Sequence, residues 1–288
     1  MTAPALSHSS APVSPVRETV QVDFNTPRGS LPLSFAFDRS CGVQNEMFVA
    51  LSSGQCYEAE TTFLLAAVLK PGDVFVDIGA HVGYFSVLAS QLVGPEGLVV
   101  SFEPAPDNYA GLVEHLRLNN VRHAIPLHCA AGAEETVLDL HLNADNDGGH
   151  ALWDVGLHPL NEKSRRAPRV YPTYVTTVDR ILATVAPGRI KAFKIDTEGG
   201  EHAVLIGAMR TLATHKVPFV IAEINASALV ALGSNHDMMF DFMEALGYEV
   251  YTIHVEAPQL RRMDRTQPFQ MKYVFNVLFR HVEAPAIG

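Results

Sequence analysis

Val74-Phe75-Val76-Asp77-Ile78-Gly79-Ala80-His81-Val82-Gly83-Tyr84-Phe85 joins an unbroken apolar run to a helical segment through a turn that holds two glycines. Such a joint is the first half of a βαβ unit built on a buried strand. Gly79 and Gly83 let the backbone approach a ligand closely, and Asp77 stands near the carboxyl end of the strand, where open α/β sheets bind ligands. An acid at that place suits the cationic amino group of a bound amino acid.

Downstream, Val99-Val100-Ser101-Phe102-Glu103-Pro104 forms a second apolar strand that ends in a carboxylate about 20 residues beyond Gly83. Glu103 is placed to accept hydrogen bonds from both hydroxyls of a ribose. Dinucleotide enzymes share this arrangement, but they carry a GxGxxG turn whose glycines cradle a pyrophosphate at a helix N-terminus. The turn in this chain reads Gly79-Ala80-His81-Val82-Gly83. A cofactor without pyrophosphate needs no such cradle, so S-adenosylmethionine is favoured over NAD. An ordinary tight turn with no ligand is the blander reading, and Asp77 and Glu103 together count against it.

From this centre, apolar runs alternate with helical periods towards the C-terminus, the pattern of a mainly parallel sheet. Strands are expected at 74–78, 98–103, 125–130, 192–196 and 219–223, and helices at 58–69, 83–92, 106–120, 200–212 and 237–246. Segments 249–254 and 273–280 read as an antiparallel edge hairpin. The expected fold is a Rossmann-like, doubly wound α/β domain with a mainly parallel seven-stranded sheet, spanning residues 58–288. Residues 1–17 read as a flexible tail, and 18–57 as a small β-rich cap that includes the apolar stretches 33–37 and 47–51. Residues 143–172, with Asp145-Asn146-Asp147-Gly148-Gly149 and three prolines, break the rhythm and read as a lid or loop insertion.

The chain has 288 residues, 48% of them hydrophobic, and a formal net charge of −10. One large core is affordable at this length. The acidic balance argues against a broad grip on nucleic acid, which relies on many Lys and Arg contacts to phosphates, and favours a small-molecule partner. Cys41, Cys56 and Cys129 show no metal-ligand spacing and no disulfide framework. No apolar run reaches membrane-spanning length and the start lacks a basic-then-apolar leader, which together read as a soluble, cytoplasmic protein. Apolar stretches in the cap admit either a homodimer contact or a cover for the sheet.

With these residues in hand, the chain resembles the FkbM-type methyltransferases, a branch of the class I S-adenosylmethionine-dependent enzymes. The resemblance covers roughly residues 58–279. It is carried by the 76–85 block, by Phe102-Glu103-Pro104 with Asn108, by Thr177-Val178-Asp179, and most specifically by Lys194-Ile195-Asp196-Thr197-Glu198-Gly199-Gly200-Glu201 followed by Val204-Leu205-Ile206-Gly207. It implies that Asp77, Gly79, Ala80, Gly83 and Phe85 surround the methionine part of the cofactor. Glu103 would hold the ribose with Pro104 and Asn108 at its turn, and Ala130 would lie beside the adenine. It further implies O-methylation of a hydroxyl on a sugar, polyketide or other secondary metabolite.

Methyl transfer from a sulfonium is an in-line displacement, so the enzyme chiefly aligns the acceptor and holds or removes one proton. Asp196, at the end of the fourth parallel strand, is placed to face both cofactor and acceptor. Glu198, His202 and Glu223 are further candidates for the acceptor side, although Glu198 and Glu201 equally suit a helix N-terminus and His202 a solvated surface. Asp196, Glu223 and Asn225 offer oxygen ligands of the kind Mg2+ accepts, yet a metal is not the favoured reading. His150 and Trp153 are candidates for a lid over the acceptor. Lys163, Arg165 and Arg166 would attract an anion or form a solvated face, and His81 would pack or cap locally. A nucleotide-binding oxidoreductase and a non-catalytic binding module that kept the fold remain the competing classes.

Overall fold

The computed structural model of the chain describes residues 17–26, 29–185, 188–253, 260–266 and 274–287. The expected tail lies outside these residues apart from Arg17, which opens the first strand. In chain order, β1 (Arg17–Thr26) and β2 (Gly29–Asp38) are followed by α1 (Gly42–Ser52), α2 (Ala59–Val68), β3 (Val74–Ile78), α3 (Tyr84–Val93), β4 (Leu98–Phe102), α4 (Pro106–Leu118) and β5 (Ala124–Leu127). Next come β6 (Ala130–Ala131), β7 (Thr136–Leu142), α5 (Glu162–Arg166), β8 (Arg169–Thr176), α6 (Val178–Val185), β9 (Ile190–Ile195), α7 (Glu201–Gly207) and α8 (Met209–His215). The chain closes with β10 (Phe219–Ile224), α9 (Ala226–Ala231), α10 (His236–Ala245), β11 (Tyr248–Thr252), β12 (Arg261–Arg262) and β13 (Phe275–His281).

The main sheet has eight strands in the order β12-β11-β13-β10-β9-β3-β4-β5. Strands β5, β4, β3, β9 and β10 run parallel, and β13 is antiparallel to both β10 and β11. Every residue of β3 and β9 is buried, as a strand covered on both faces requires. Alternate side chains go to opposite layers. Phe75, Val99 and Ile221 join the core under α2, α3 and the β1–β2 hairpin, while Val76, Val100 and Phe193 join the core under α6, α7, α8 and α10. Each side chain fully buried in this way contributes about 1.5–3 kcal/mol.

The β1–β2 hairpin is fastened to this body by α4. His115, fully buried, accepts from Ala36 N at 2.9 Å, and its Nδ1 lies 2.6 Å from Val82 O. Phe35 and Phe37 meet the same imidazole edge-on. Asn119 pairs with Ser34 through both its N–H and C=O, at 2.7 and 2.9 Å, like a strand residue.

Several expectations need correction. The sheet has eight strands rather than seven, because the two-residue β12 is added outside β11. The stretch 47–51, expected in a β-rich cap, lies in the helix α1. The strand expected at 125–130 is two strands: β5 stays in the main sheet, while β6 turns away to pair with β8 in a separate three-stranded sheet. The helix expected at 200–212 breaks at Ala208, and Asp179 explains why: its carboxylate accepts from Arg210 N at 3.0 Å and Thr211 N at 2.7 Å, capping a new helix, α8. The expected insertion 143–172 is irregular only in part, since it contains α5 and its last residues belong to β8, paired with β7. The proposed strand ends at His254 and Tyr273 lie outside the described residues.

Gly83 begins α3 at φ +86°, and a Cβ there would come within 2.5 Å of Leu112 Cδ1 on α4. Gly83→Ala is therefore expected to cost about 2–4 kcal/mol, combining left-handed strain with overpacking. Urea unfolding would measure it, and a loss under about 0.5 kcal/mol would show that the α3–α4 contact yields.

Candidate functional site

A cavity of about 340 Å³ opens at the carboxyl ends of β3, β4, β9 and β10, at the low end of the roughly 300–1,000 Å³ usual for small-molecule sites. Strand order reverses between β3 and β9, the place where doubly wound sheets leave a crevice. Two turns bound it, and each holds a non-glycine residue at φ +51°, His81 after β3 and Glu198 after β9. Such left-handed residues persist only where the surroundings fix them.

The first turn is held from behind. Gly79 N and Ala80 N both donate to Phe102 O, at 3.0 and 2.9 Å. Gly79 has to be glycine, because a Cβ would lie 1.7 Å from Asp196 O. Glu103 faces the cavity with each oxygen anchored: Oε2 accepts from His81 N at 2.7 Å and Oε1 from Ala105 N at 2.8 Å. Burial pushes its carboxyl up to about 8 against the pull of those two amides. Beside it Phe102, Ala130, Ala131 and Leu140 make an apolar wall.

The other half of the cavity is acidic. Glu58, Asp196, Glu198 and Glu223 line it around one ammonium, Lys194, whose Nζ donates to Asp196 Oδ2 at 2.6 Å and stands 4.7 Å over the Phe85 ring. Burial opposes the Lys194 charge, but Asp196, Glu58 and Asp77 outweigh it and hold the ammonium above its ordinary range. Burial raises Glu58 and Glu223, and pushes Glu198 up to about 8 with Asp196 and Glu201 adding repulsion. One Glu223 oxygen, Oε2, is buried with no hydrogen-bond partner among the described residues.

Most of the expected site residues come together. Gly79, Ala80, Phe85, Glu103, Pro104, Asn108, Ala130, Asp196, Glu198 and Glu223 all line the cavity. Asp77, Gly83 and His202 do not. Asp77 is buried beneath the turn, where Ser86 Oγ donates to it at 2.5 Å, and Gly83 serves the α3–α4 contact. His202 turns to α10 and meets the Phe242 ring edge-on. Two of the oxygen groups imagined for Mg2+ are engaged elsewhere: Asp196 is bound by Lys194, and Asn225 Oδ1 caps α9 at Ala228 N while its Nδ2 donates to Glu198. Among the described residues no group of three or more metal-capable side chains occurs. His150 lines the cavity, and Trp153 Nε1 donates to Glu198 O at 2.9 Å. Arg165 binds the carbonyls of Gly156, His158 and Pro159, and Arg166 pairs with Glu162, so neither reaches the cavity.

Lys194, Glu58 and Tyr57 are among the lining residues that the sequence did not single out for a role. Lys194 stood inside the most specific motif, and a lysine within a buried apolar strand is itself a signal, since such a charge needs a partner. Glu58 and Tyr57 gave none.

The doubly wound sheet makes this a Rossmann-like α/β protein with a cavity at the strand ends. The model of the FkbM methyltransferase domain matches residues 77–250, more than half of the chain, and the chain belongs to that family. It is 29% identical over 185 residues to the 31-O-demethyl-FK506 methyltransferase FkbM of Streptomyces tacrolimicus, covering 54% of this chain and 67% of that one. It is 26% identical over 211 residues to the AMB antimetabolite synthetase AmbE of Pseudomonas aeruginosa, covering 64% of this chain and 10% of that one. The crystal structure of an FkbM methyltransferase from Methylobacillus flagellatus superposes with a TM-score of 0.44 at 17% identity, over 74% of this chain and 48% of that one. The chain thus spans only part of the proteins it matches. No helix among the described residues is long and apolar enough to cross a membrane.

The buried acids set a pH dependence. Burial first, and neighbouring acids second, push Asp77 up to about 6, Glu201 to about 7 and Glu198 to about 8. Unfolded carboxyls titrate near about 4, so the native protein holds more protons than the unfolded chain from pH 8.5 down to 6.5. Stability therefore rises as pH falls through that window. His115 and His150, both lowered by burial, act oppositely and blunt the gain below about 6.5, where unfolded histidines take up protons. The ligand-free protein should melt several degrees higher at pH 6.5 than at 8.5; a melting temperature highest at 8.5 contradicts this.

Proposed function

We propose that the protein transfers a methyl group from S-adenosylmethionine to a hydroxyl of a small, hydroxylated acceptor of the sugar or secondary-metabolite class. The observation that carries the reading is the two-sided cavity: a ribose-ready Glu103 beside an apolar wall on one side, and the Lys194-centred acids on the other. The residues fit the cofactor. Each Glu103 oxygen, already anchored by one amide, keeps a lone pair for a ribose hydroxyl. The wall of Phe102, Ala130, Ala131 and Leu140 accommodates adenine, and Asp196 with its neighbouring acids suits an amino group and a sulfonium.

When bound, the cofactor supplies an electrophilic methyl group. The chain's own part is to align the acceptor oxygen in line with that methyl and to take its proton as the new O–C bond forms and the S–C bond breaks. Glu198 is suited to this, because burial and the neighbouring acids raise its proton affinity until it titrates at about 8, so that its ionised form, the minor one at neutrality, is a strong base. Glu223, which lines the cavity and keeps Oε2 buried without a partner among the described residues, is placed to hold the acceptor hydroxyl. Asp196, hydrogen-bonded by the Lys194 ammonium at 2.6 Å, serves binding. Membership of the methyltransferase family supports the reaction class, and the net charge of −10 supports a small acceptor over a nucleic acid.

Calorimetry with S-adenosylhomocysteine should show binding that Glu103→Ala weakens by about 100-fold, two lost hydrogen bonds to charge at about 1.4 kcal/mol each. NAD should not bind; tight NAD binding in its place would overturn the reading in favour of an oxidoreductase. With radiolabelled S-adenosylmethionine and a panel of sugars and polyketides, with Mg2+ or EDTA, Glu198→Gln should lower kcat by about 10²–10⁴ while leaving homocysteine-adduct affinity within about threefold. Methyl transfer to amines alone would move the acceptor class.

A further inference from the structure

The segment between β7 and α5 is a strap across the cavity mouth, and it is fastened at both ends. At one end Asp147 is the buckle. Its Oδ1 accepts from Val43 N, at the start of α1, at 2.8 Å. Its Oδ2 accepts from Gln44 Nε2 at 3.2 Å and lies 3.0 Å from His81 Nε2. Its own carbonyl accepts from Asn108 Nδ2 at 3.0 Å. One residue thereby joins the N-terminal cap, the turn after β3 and the start of α4, three elements more than 30 residues away in sequence. At the other end Trp153 is tied to Glu198 O, on the turn after β9. Between the two ends Gly148, His150, Ala151 and Leu152 line the cavity, as does Asn146 just before the buckle.

The buckle is well set for its place. Asp147 and His81 keep only 12% and 14% of their side chains exposed. Burial works against the Asp147 charge, but the His81 and backbone hydrogen bonds hold its carboxyl below the ordinary range. His81 also donates its backbone N–H to Glu103. The same residue therefore shapes the ribose-binding acid through its backbone and grips the strap through its ring.

We infer that Asp147 is a positioning residue: by clasping the strap to His81 and α1 it closes the cavity over the bound nucleoside, so that cofactor exchange requires the clasp to open. This rests on the cofactor reading above. Loss of the clasp frees the strap and lets the His81 turn relax, which affects how long the nucleoside stays rather than whether the sheet folds.

A lockable strap tests it. A Cβ on residue 148 would lie 3.6 Å from the Val43 Cβ, within the roughly 3.5–4.5 Å that a disulfide needs. The double substitution Val43→Cys and Gly148→Cys, with Cys41→Ser and Cys56→Ser to prevent other pairings, is compared with itself oxidised and reduced. Trp153, the only tryptophan in the chain, sits in the strap and reports binding by stopped-flow fluorescence. Oxidised without ligand, the protein should take up S-adenosylhomocysteine about 100-fold more slowly than when reduced; oxidised with ligand present, it should release it as slowly. Asp147→Asn, in the otherwise natural chain, should release the ligand about 10-fold faster with an unchanged apo melting temperature. Equal rates in the oxidised and reduced forms, or release from Asp147→Asn at the natural rate, overturn the inference while leaving the cofactor reading intact. Failure of the reduced form and the natural chain alike to bind S-adenosylhomocysteine overturns both.

Discussion

One ammonium organises the site. Lys194 projects from a strand buried on both faces into a region where Glu58, Asp77, Asp196, Glu198 and Glu223 converge. Removing an ion from water is costly, and a buried lysine survives only with close partners. Four of those partners, Glu58, Asp77, Glu198 and Glu223, are carboxyls whose own burial drives them towards the protonated state. The pair with Asp196 is therefore the fixed point of the cavity, and the remaining acids adjust their protonation around it.

That arrangement follows from the sheet. Parallel strands all end at the same edge, so the residues after β3, β4, β9 and β10 are delivered to one crevice although they are far apart in the chain. The register sharpens this: Ile78 lies opposite Ile195, and Asp196 N donates to Ile78 O at 2.9 Å, which brings the Gly79 turn directly against Asp196. A side chain at Gly79 would collide there. The motif glycine thus answers to its neighbour strand as much as to any ligand.

The N-terminal hairpin and α1 do more than cover apolar surface. His115 and Asn119 bind β2 to α4 through backbone groups, which fixes where α1 begins. The amide of Val43 then meets Asp147, and α1 contributes Val43 and Met47 to the cavity wall. Closing the cavity is in this sense a joint act of the cap and the strap. The strap itself is held out by the β7–β8 pair, a small sheet of its own.

The doubly wound fold was legible in the sequence because two-sided burial leaves an unmistakable mark: β3 was read at its true bounds, and β9 and β10 within two residues at either end. Glu103, Asp196, Glu198 and Glu223 were legible for the same reason, since a carboxylate at the end of a buried parallel strand has only one edge to face. The β6 departure, the α7–α8 break and the two-residue β12 were not, because each depends on a partner distant in the chain, such as Asp179 for α8. Nor could sequence separate Asp77, drawn under the turn by Ser86, from Glu103, which faces the cavity. Local pattern and the direction of parallel strands determined the fold and the strand-end acids; the Lys194 cluster and the Asp147 clasp were decided only by tertiary structure, because hydrogen bonds and ion pairs between remote segments carry no periodicity along the chain.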